Sequence, residues 1–259
     1  MALLPLLLAA EPVQTPETMS LLDLGSSEMR CLVLGVDEVA AQPHAIGSNL
    51  PAEMLGYDRR ASVGIKCGAV DSLERANACV RMVVERAERM AGFRIDDLFV
   101  TFGGGNQESS SFRVRIKLGG GQVRAEHIAD GLDRVRGRLA DDLRRVMHLN
   151  VFGYAIDDGP IQSDPIGLPG EALIIHGNAV TVDRTALEHL DILLEKSFLP
   201  RARVLPAAYA SALGVLHAQE VRDGVLCVDF GAQLTSVAAF GEGQLIGLKT
   251  WPSGGAHLT

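Results

Sequence analysis

Asp23-Leu24-Gly25 ends one apolar run and Asp229-Phe230-Gly231 ends another, and each turn is followed at the same distance by a further glycine, Gly35 and Gly241. An aspartate at a strand end can hold a divalent cation through water, and glycine lets backbone amides face an anion at close range. Leu21-Leu22 and Leu226-Cys227-Val228 read as buried strands that deliver these aspartates, with Met29 to Leu34 and Thr235 to Phe240 as the returning strands. One Asp-x-Gly is a common hairpin turn. Two with one spacing predict a duplicated strand-turn-strand device, and two such turns facing each other clamp a nucleotide tail and its Mg2+.

The scaffold for such a pair has ample apolar material. Hydrophobic residues make up 47% of the 259 and charged residues 22%, enough for one large or two modest domains and too apolar for a disordered chain. A net charge of −8 argues against a nucleic-acid binder, which needs a basic excess to neutralise phosphates. Arg113, Arg115 and Lys117 alternate with Val114, Ile116 and Leu118 and read as a solvated strand face. Arg134, Arg136, Arg138, Arg144 and Arg145 are expected on a helix whose acidic neighbours offset them. Cys31, Cys67, Cys79 and Cys227 form no Cys-x-x-Cys, which suits a reducing cytoplasm and speaks against structural zinc or a disulfide framework. Residues Leu3 to Ala10 are apolar, but without a positive start and with Pro5 among them they read as part of a flexible tail over 1–18, not a signal peptide. No stretch is long enough to span a bilayer.

Along the chain, the first hairpin is followed by a loop-rich stretch and then a helix. Asp71 with Glu74 gives a capping-box pattern, Ala76, Val80, Val83, Val84 and Ala87 form one stripe, and Gly92 suits the C-terminal cap. Gly103-Gly104-Gly105 and Gly119-Gly120-Gly121 bracket an alternating strand, Phe112 to Leu118, and read as hairpin turns because no Lys-Ser/Thr follows them. A helix from about Ala125 to Met147 comes next, then strands Val151 to Ile156 and Glu171 to Val180 around a proline-punctuated loop. Asp183 is placed to cap a helix carrying Leu187, Leu190, Leu193 and Leu194. Pro206 is placed to begin another through Ala210 to Gln219, ahead of the second hairpin and a strand from Gln244 to Trp251. The order is α/β with duplicated halves.

These residues resemble the actin/Hsp70 ATPase superfamily and, within it, the FtsA family of bacterial cell-division actins, from about Met19 to Thr259. The broad resemblance lies in the two Asp-x-Gly hairpins. The narrower one lies in Gly64-Ile65-Lys66-Cys67-Gly68-Ala69-Val70-Asp71, in Tyr154-Ala155-Ile156-Asp157 with Asp164-Pro165-Ile166-Gly167-Leu168-Pro169-Gly170, in Ala210-Ser211-Ala212, and in Pro252-Ser253-Gly254-Gly255-Ala256-His257-Leu258-Thr259. It implies an actin-like (ribonuclease H-like) ATPase fold carrying an inserted α+β subdomain of the SHS2 type, called 1C, with an incomplete second half. The implied divisions are a tail 1–18, subdomain 1A over 19–96 and 181–223, subdomain 1C over 97–180, and the start of subdomain 2A over 224–259.

The same resemblance implies a first phosphate loop of Asp23, Gly25, Ser26 and Ser27 and a second of Asp229, Gly231, Ala232 and Gln233. Asp23 and Asp229 would hold Mg2+ of ATP through water. The implied role is an ATP-dependent polymer that links FtsZ filaments to the inner membrane from its cytoplasmic face during septum assembly, with self-association through 1C. The family's FtsZ-binding subdomain and membrane helix would lie after Thr259, so a fragment is expected. Ala232-Gln233-Leu234 departs from the family's glycines and Thr, and Cys67 stands where the family commonly has Gly, so weak or no ATPase activity is expected. Lys66 is read either as a phosphate contact or as a solvated loop lysine. Two alternatives come from the same superfamily: a sugar kinase-like phosphotransferase, against which Ser236 stands where an acid is expected, and a PilM-type pilus-assembly adaptor.

Overall fold

The computed structural model describes residues 18–36, 52–95, 97–199 and 202–257. The expected tail, apart from Thr18, and Leu258 and Thr259 of the last motif lie outside the described residues. The chain begins with strands β1 (Thr18–Leu24), β2 (Glu28–Val36), β3 (Ala52–Ala61), β4 (Ile65–Lys66) and β5 (Ala69–Val70), followed by helix α1 (Leu73–Ala91). Then come β6 (Leu98–Phe102), β7 (Glu108–Lys117), α2 (Ala125–Leu139), β8 (Arg144–Ile156), β9 (Ala172–Asp183) and α3 (Arg184–Lys196). The last stretch holds β10 (Ala202–Pro206), α4 (Ala207–Val215), α5 (Ala218–Asp223), β11 (Val225–Phe230), β12 (Thr235–Gly241) and β13 (Gln244–Trp251).

Two sheets carry the site. The first has the order β10-β6-β1-β2-β3, with β1, β6 and β10 parallel and β2 and β3 antiparallel additions. Leu22 and Leu24 of β1, Val100 and Phe102 of β6, and the stripe Ala76, Val80, Val83 and Ala87 of α1 share one core with Leu190 and Leu193 of α3. Strand β3 stands where the loop-rich stretch is expected. Glu53, Asp58, Arg59 and Arg60 interrupt its alternation, and an edge strand tolerates such charges because one side of it faces solvent.

The second sheet has the order β11-β12-β13-β7-β9-β8 and is antiparallel throughout. Helix α2 covers one face of β7, β8 and β9 through Val135, packed among Phe112, Ile116, Leu173 and Ile175. Helices α4 and α5 cover the hairpin end, where Tyr209, Ala212 and Val221 meet Ala238, Phe240 and Leu248. Strands β7, β9 and β8 thus share one sheet with the second hairpin, joined to it by β13 through the Lys249↔Glu108 pairing.

Several local expectations change. The helix expected to reach Met147 ends at Leu139, and Arg144 and Arg145 are strand residues of β8. The Asp141 carboxylate accepts the amides of Leu143 and Arg144, turning the chain, and β8 then pairs with β9 from Arg144↔Asp183 onward. The triple glycines are not hairpin turns. Gly103-Gly104-Gly105 carries the chain from one sheet to the other, and Gly119-Gly120-Gly121 leads from β7 into α2. The Asp71 capping box is replaced by the Gly64 carbonyl, which accepts the amides of Asp71 and Ser72. Asp183 does not cap α3 with its side chain but pairs with Arg144 at 3.2 Å. The helix expected from Pro206 to Gln219 is two, α4 and α5. Leu226 and Val228, read as buried, are exposed on β11. No described helix is long and apolar enough to cross a membrane.

Candidate functional site

The two Asp-x-Gly turns are the same construction. Leu24 pairs with Met29 and Phe230 pairs with Thr235, so four-residue loops, 25–28 and 231–234, close both hairpins. A side chain at Gly25 is excluded, since a Cβ there would fall 2.6 Å from the Glu28 carbonyl oxygen. The second loop is braced from behind. The Gly231 amide donates to the Leu234 carbonyl at 2.9 Å, while Gly255 and Ala256 donate to the carbonyls of Gly231 and Ala232 at 3.0 and 2.8 Å.

Both loops open into one cavity of about 510 Å3. All the residues assigned to the two phosphate loops line it: Asp23, Gly25, Ser26 and Ser27 from the first, and Asp229, Gly231, Ala232 and Gln233 from the second. Ser236 lines it as well, whereas Lys66 does not and is exposed on β4.

The aspartates are held differently. Asp23 Oδ1 accepts the Thr101 hydroxyl at 2.7 Å, because β1 and β6 run parallel with Asp23 opposite Thr101. Its Oδ2 pairs with Arg30 at 3.2 Å, and Arg30 also reaches Glu28 at 2.7 Å. Arg30 faces Asp23 directly across the hairpin. The equivalent partner of Asp229 is Ser236, and Asp229 Oδ2 instead accepts the Ser211 hydroxyl from α4 at 3.0 Å. Thr101, Arg30 and Ser211 were not singled out from the sequence as site residues. Arg30 was the accessible one, since a four-residue loop after Leu24 places residue 30 opposite residue 23. Thr101 depends on a parallel pairing that the local sequence does not encode.

A third element enters between the loops. The β4–β5 hairpin carries Cys67 and Gly68 at its tip, with φ of 46° and 70°. The Gly68 amide donates to Ser26 Oγ and the Cys67 amide to Gln233 Oε1, both at 2.8 Å. Left-handed backbone at residue 67 is a conformation that favours glycine, and this chain places a cysteine in it.

Among the described residues the lining holds three carboxylates, Asp23, Glu28 and Asp229, and one guanidinium, Arg30. Its volume lies within the range of small-molecule sites. With an excess of negative charge, it can accept a polyphosphate only together with a cation. Hydroxyls and loop amides suit phosphate oxygens, and two fixed aspartates suit a hydrated Mg2+. The residues therefore fit the group they were expected to hold.

Comparison with known proteins agrees with this architecture. No protein-family model matches the chain. It is similar to the cell division protein FtsA of Agrobacterium fabrum, 30% identical over 240 residues, covering 93% of this chain and 54% of the relative. The FtsA proteins of Pseudomonas aeruginosa and Escherichia coli K12 are 27% and 26% identical, over 88% and 89% of this chain. The chain thus spans about half the length of these curated relatives, 54–56%. Among solved structures, a PilM-PilN type IV pilus biogenesis complex superimposes with a TM-score of 0.55 at 12% identity, over 94% of this chain and 63% of that one. That likeness speaks to the fold alone. With its two mirrored Asp-x-Gly hairpins around one cavity, the chain has an actin-like fold and is a sequence relative of the cell division protein FtsA.

Proposed function

We propose that this chain is the nucleotide-binding part of an actin-like cell-division protein, with ATP phosphates between the two hairpin loops and Mg2+ held through water by Asp23 and Asp229. The observation that carries this reading is the convergence of both loops on one cavity whose charge requires a cation beside the phosphates. Gly25, Ser26 and Ser27 would serve one side of the polyphosphate and Gly231, Ala232 and Gln233 the other. Turnover is expected to be weak. Asp23 and Asp229 are taken up by the hydrated cation in this reading and Glu28 is paired with Arg30, so the lining offers no carboxylate kept apart for a general base. Ser236 lines the cavity but its neutral hydroxyl is not a base, so it does not take that role in a phosphotransferase.

In the whole protein, the reading continues as for the FtsA relatives. Nucleotide binding favours a polymer, with self-association through the module at 97–180, and the polymer joins FtsZ filaments to the cytoplasmic face of the inner membrane at the septum. The sequence similarity supports this over a pilus-assembly role, for which the structural likeness supplies only a shared fold.

Calorimetry with Mg-ATP tests the site. Saturable binding is expected, weakened about tenfold or more by Asp23→Ala, the loss of about 1.4 kcal/mol. Circular dichroism would establish that the variant is folded. No binding by the parent chain, or equal binding by a folded Asp23→Ala variant, would overturn the assignment.

A further inference from the structure

Helix α4 reaches the cavity from outside both hairpins. It begins directly after β10, a strand of the first sheet, yet its buried Tyr209 and Ala212 pack against Ala238, Phe240 and Leu248 of the second. That core fixes one face of the helix. Ala207, Ala210 and Ser211, at positions i, i+3 and i+4, share another face, and all three line the cavity. Of the three only Ser211 can donate a side-chain proton, and its hydroxyl donates to Asp229 Oδ2 at 3.0 Å.

The two matching hairpins hold their aspartates differently because they occupy different places in their sheets. Strand β1 lies between β6 and β2, so Asp23 has a neighbour on either side: Thr101 of β6 donates to Oδ1 at 2.7 Å, and Arg30 of β2 reaches Oδ2 at 3.2 Å. Strand β11 is an edge strand among the described residues, with β12 as its one neighbour. The place that β6 takes beside Asp23 has no counterpart beside Asp229, and the hydroxyl comes from a helix instead. Among the described residues, no hydrogen bond reaches Asp229 Oδ1. We infer that Ser211 is a positioning residue of the cation site: it holds the Asp229 carboxylate by one oxygen and leaves the other for hydrated Mg2+. A hydroxyl is neutral, so it restricts the rotation of the carboxylate without offsetting its charge, whereas the guanidinium beside Asp23 does offset it. This inference rests on the nucleotide reading above and adds to that site a residue outside both phosphate loops. It also gives the Ala210-Ser211-Ala212 motif a chemical reason, with Ala212 anchoring the helix and Ser211 facing the cleft.

Calorimetry on the 259-residue chain, with Mg-ATP and with ATP in excess chelator, tests it. Ser211→Ala should bind Mg-ATP roughly 3- to 10-fold more weakly than the parent, the equivalent of one net hydrogen bond, and should match the parent in chelator. Ser211→Thr, which keeps the hydroxyl, should restore most of the loss. Ser211→Cys, near in volume and a weak donor, should behave as Ser211→Ala and guards against a fold defect in either, which circular dichroism would reveal. Because Ser211 acts through Asp229, adding Ser211→Ala to Asp229→Asn should cost nothing further. Unchanged Mg-ATP affinity in the folded Ser211→Ala and Ser211→Cys variants would overturn the positioning role and leave the nucleotide site standing. So would an equal loss in chelator or an equal loss in the Asp229→Asn background, either of which would mark a direct contact of Ser211 with the nucleotide. Absence of Mg-ATP binding by the parent would overturn the nucleotide reading and this role with it.

Discussion

His148 is half-buried beside the Tyr209 ring, with centroids 5.4 Å apart, and loss of solvent around its imidazole pushes it down to a pKa of about 4. The unfolded chain protonates this residue near the ordinary histidine value while the folded chain resists. Its contribution is therefore complete above about pH 6.5 and is lost as pH falls toward 4, amounting to about 2–3 kcal/mol between pH 7 and 4.5. Urea denaturation of the parent at the two pH values should show that loss, and His148→Phe, which keeps an aromatic ring beside Tyr209, should flatten it. Arg30 makes a second residue-scale prediction. As the one guanidinium among the described residues that line the cavity, it already neutralises part of the Asp23 and Glu28 charge. Arg30→Met should make nucleotide binding depend more steeply on Mg2+, read as a larger affinity loss on adding a chelator than the parent shows.

At the scale of elements, close approach of backbones decides which positions must lack a side chain. Strand β3 meets α1 at Gly56, where a Cβ would fall 2.2 Å from the Ala87 carbonyl oxygen and 3.1 Å from the Ala91 Cβ. Gly56→Ala should push the helix off the sheet and cost about 1–3 kcal/mol, measured as a lowered denaturation midpoint, because the obstructing atom is backbone. The same packing explains how much of this region was legible. The stripe of α1 and its Gly92 cap follow from a 3.6-residue period and a left-handed glycine, both local properties, and both are present. The end of α2 was not legible. Arginines recur through 134–145 without marking where helix gives way to strand, and the turn is set by Asp141 and by the pairing of β8 with β9. Arg144 illustrates the outcome: it reaches Asp183, Thr181 and the Asn106 carbonyl, tying the start of β8 to β9 and to the loop before β7.

At the scale of the molecule, the second sheet ends at β11, an edge strand among the described residues. Leu226, Val228 and Phe230 project from it on one side with relative exposures of 68%, 59% and 58%. An exposed apolar row on an unpaired edge favours association. The 259-residue chain should therefore self-associate with increasing concentration in analytical ultracentrifugation, and Val228→Lys should shift it toward monomer without lowering its denaturation midpoint. Periodicity in Leu226-Cys227-Val228 identified a strand. It could not tell which face finds a partner, because that depends on elements distant in sequence.

The paired Asp-x-Gly turns, their equal loops, the α/β order and the family resemblance could all be read without coordinates, since each rests on residues adjacent in the chain or on spacing that can be counted. Tertiary structure decided that both turns share one cavity, that Thr101 and Ser211 hydrogen-bond the two aspartates, and that the Cys67–Gly68 tip stands between the loops with the Cys67 amide donating to Gln233. Those contacts join residues separated by as many as 166 positions, and the two sheets had to assemble before any of them existed. A local pattern can specify a turn, but the partner that the turn meets is fixed only by the packing of the whole chain.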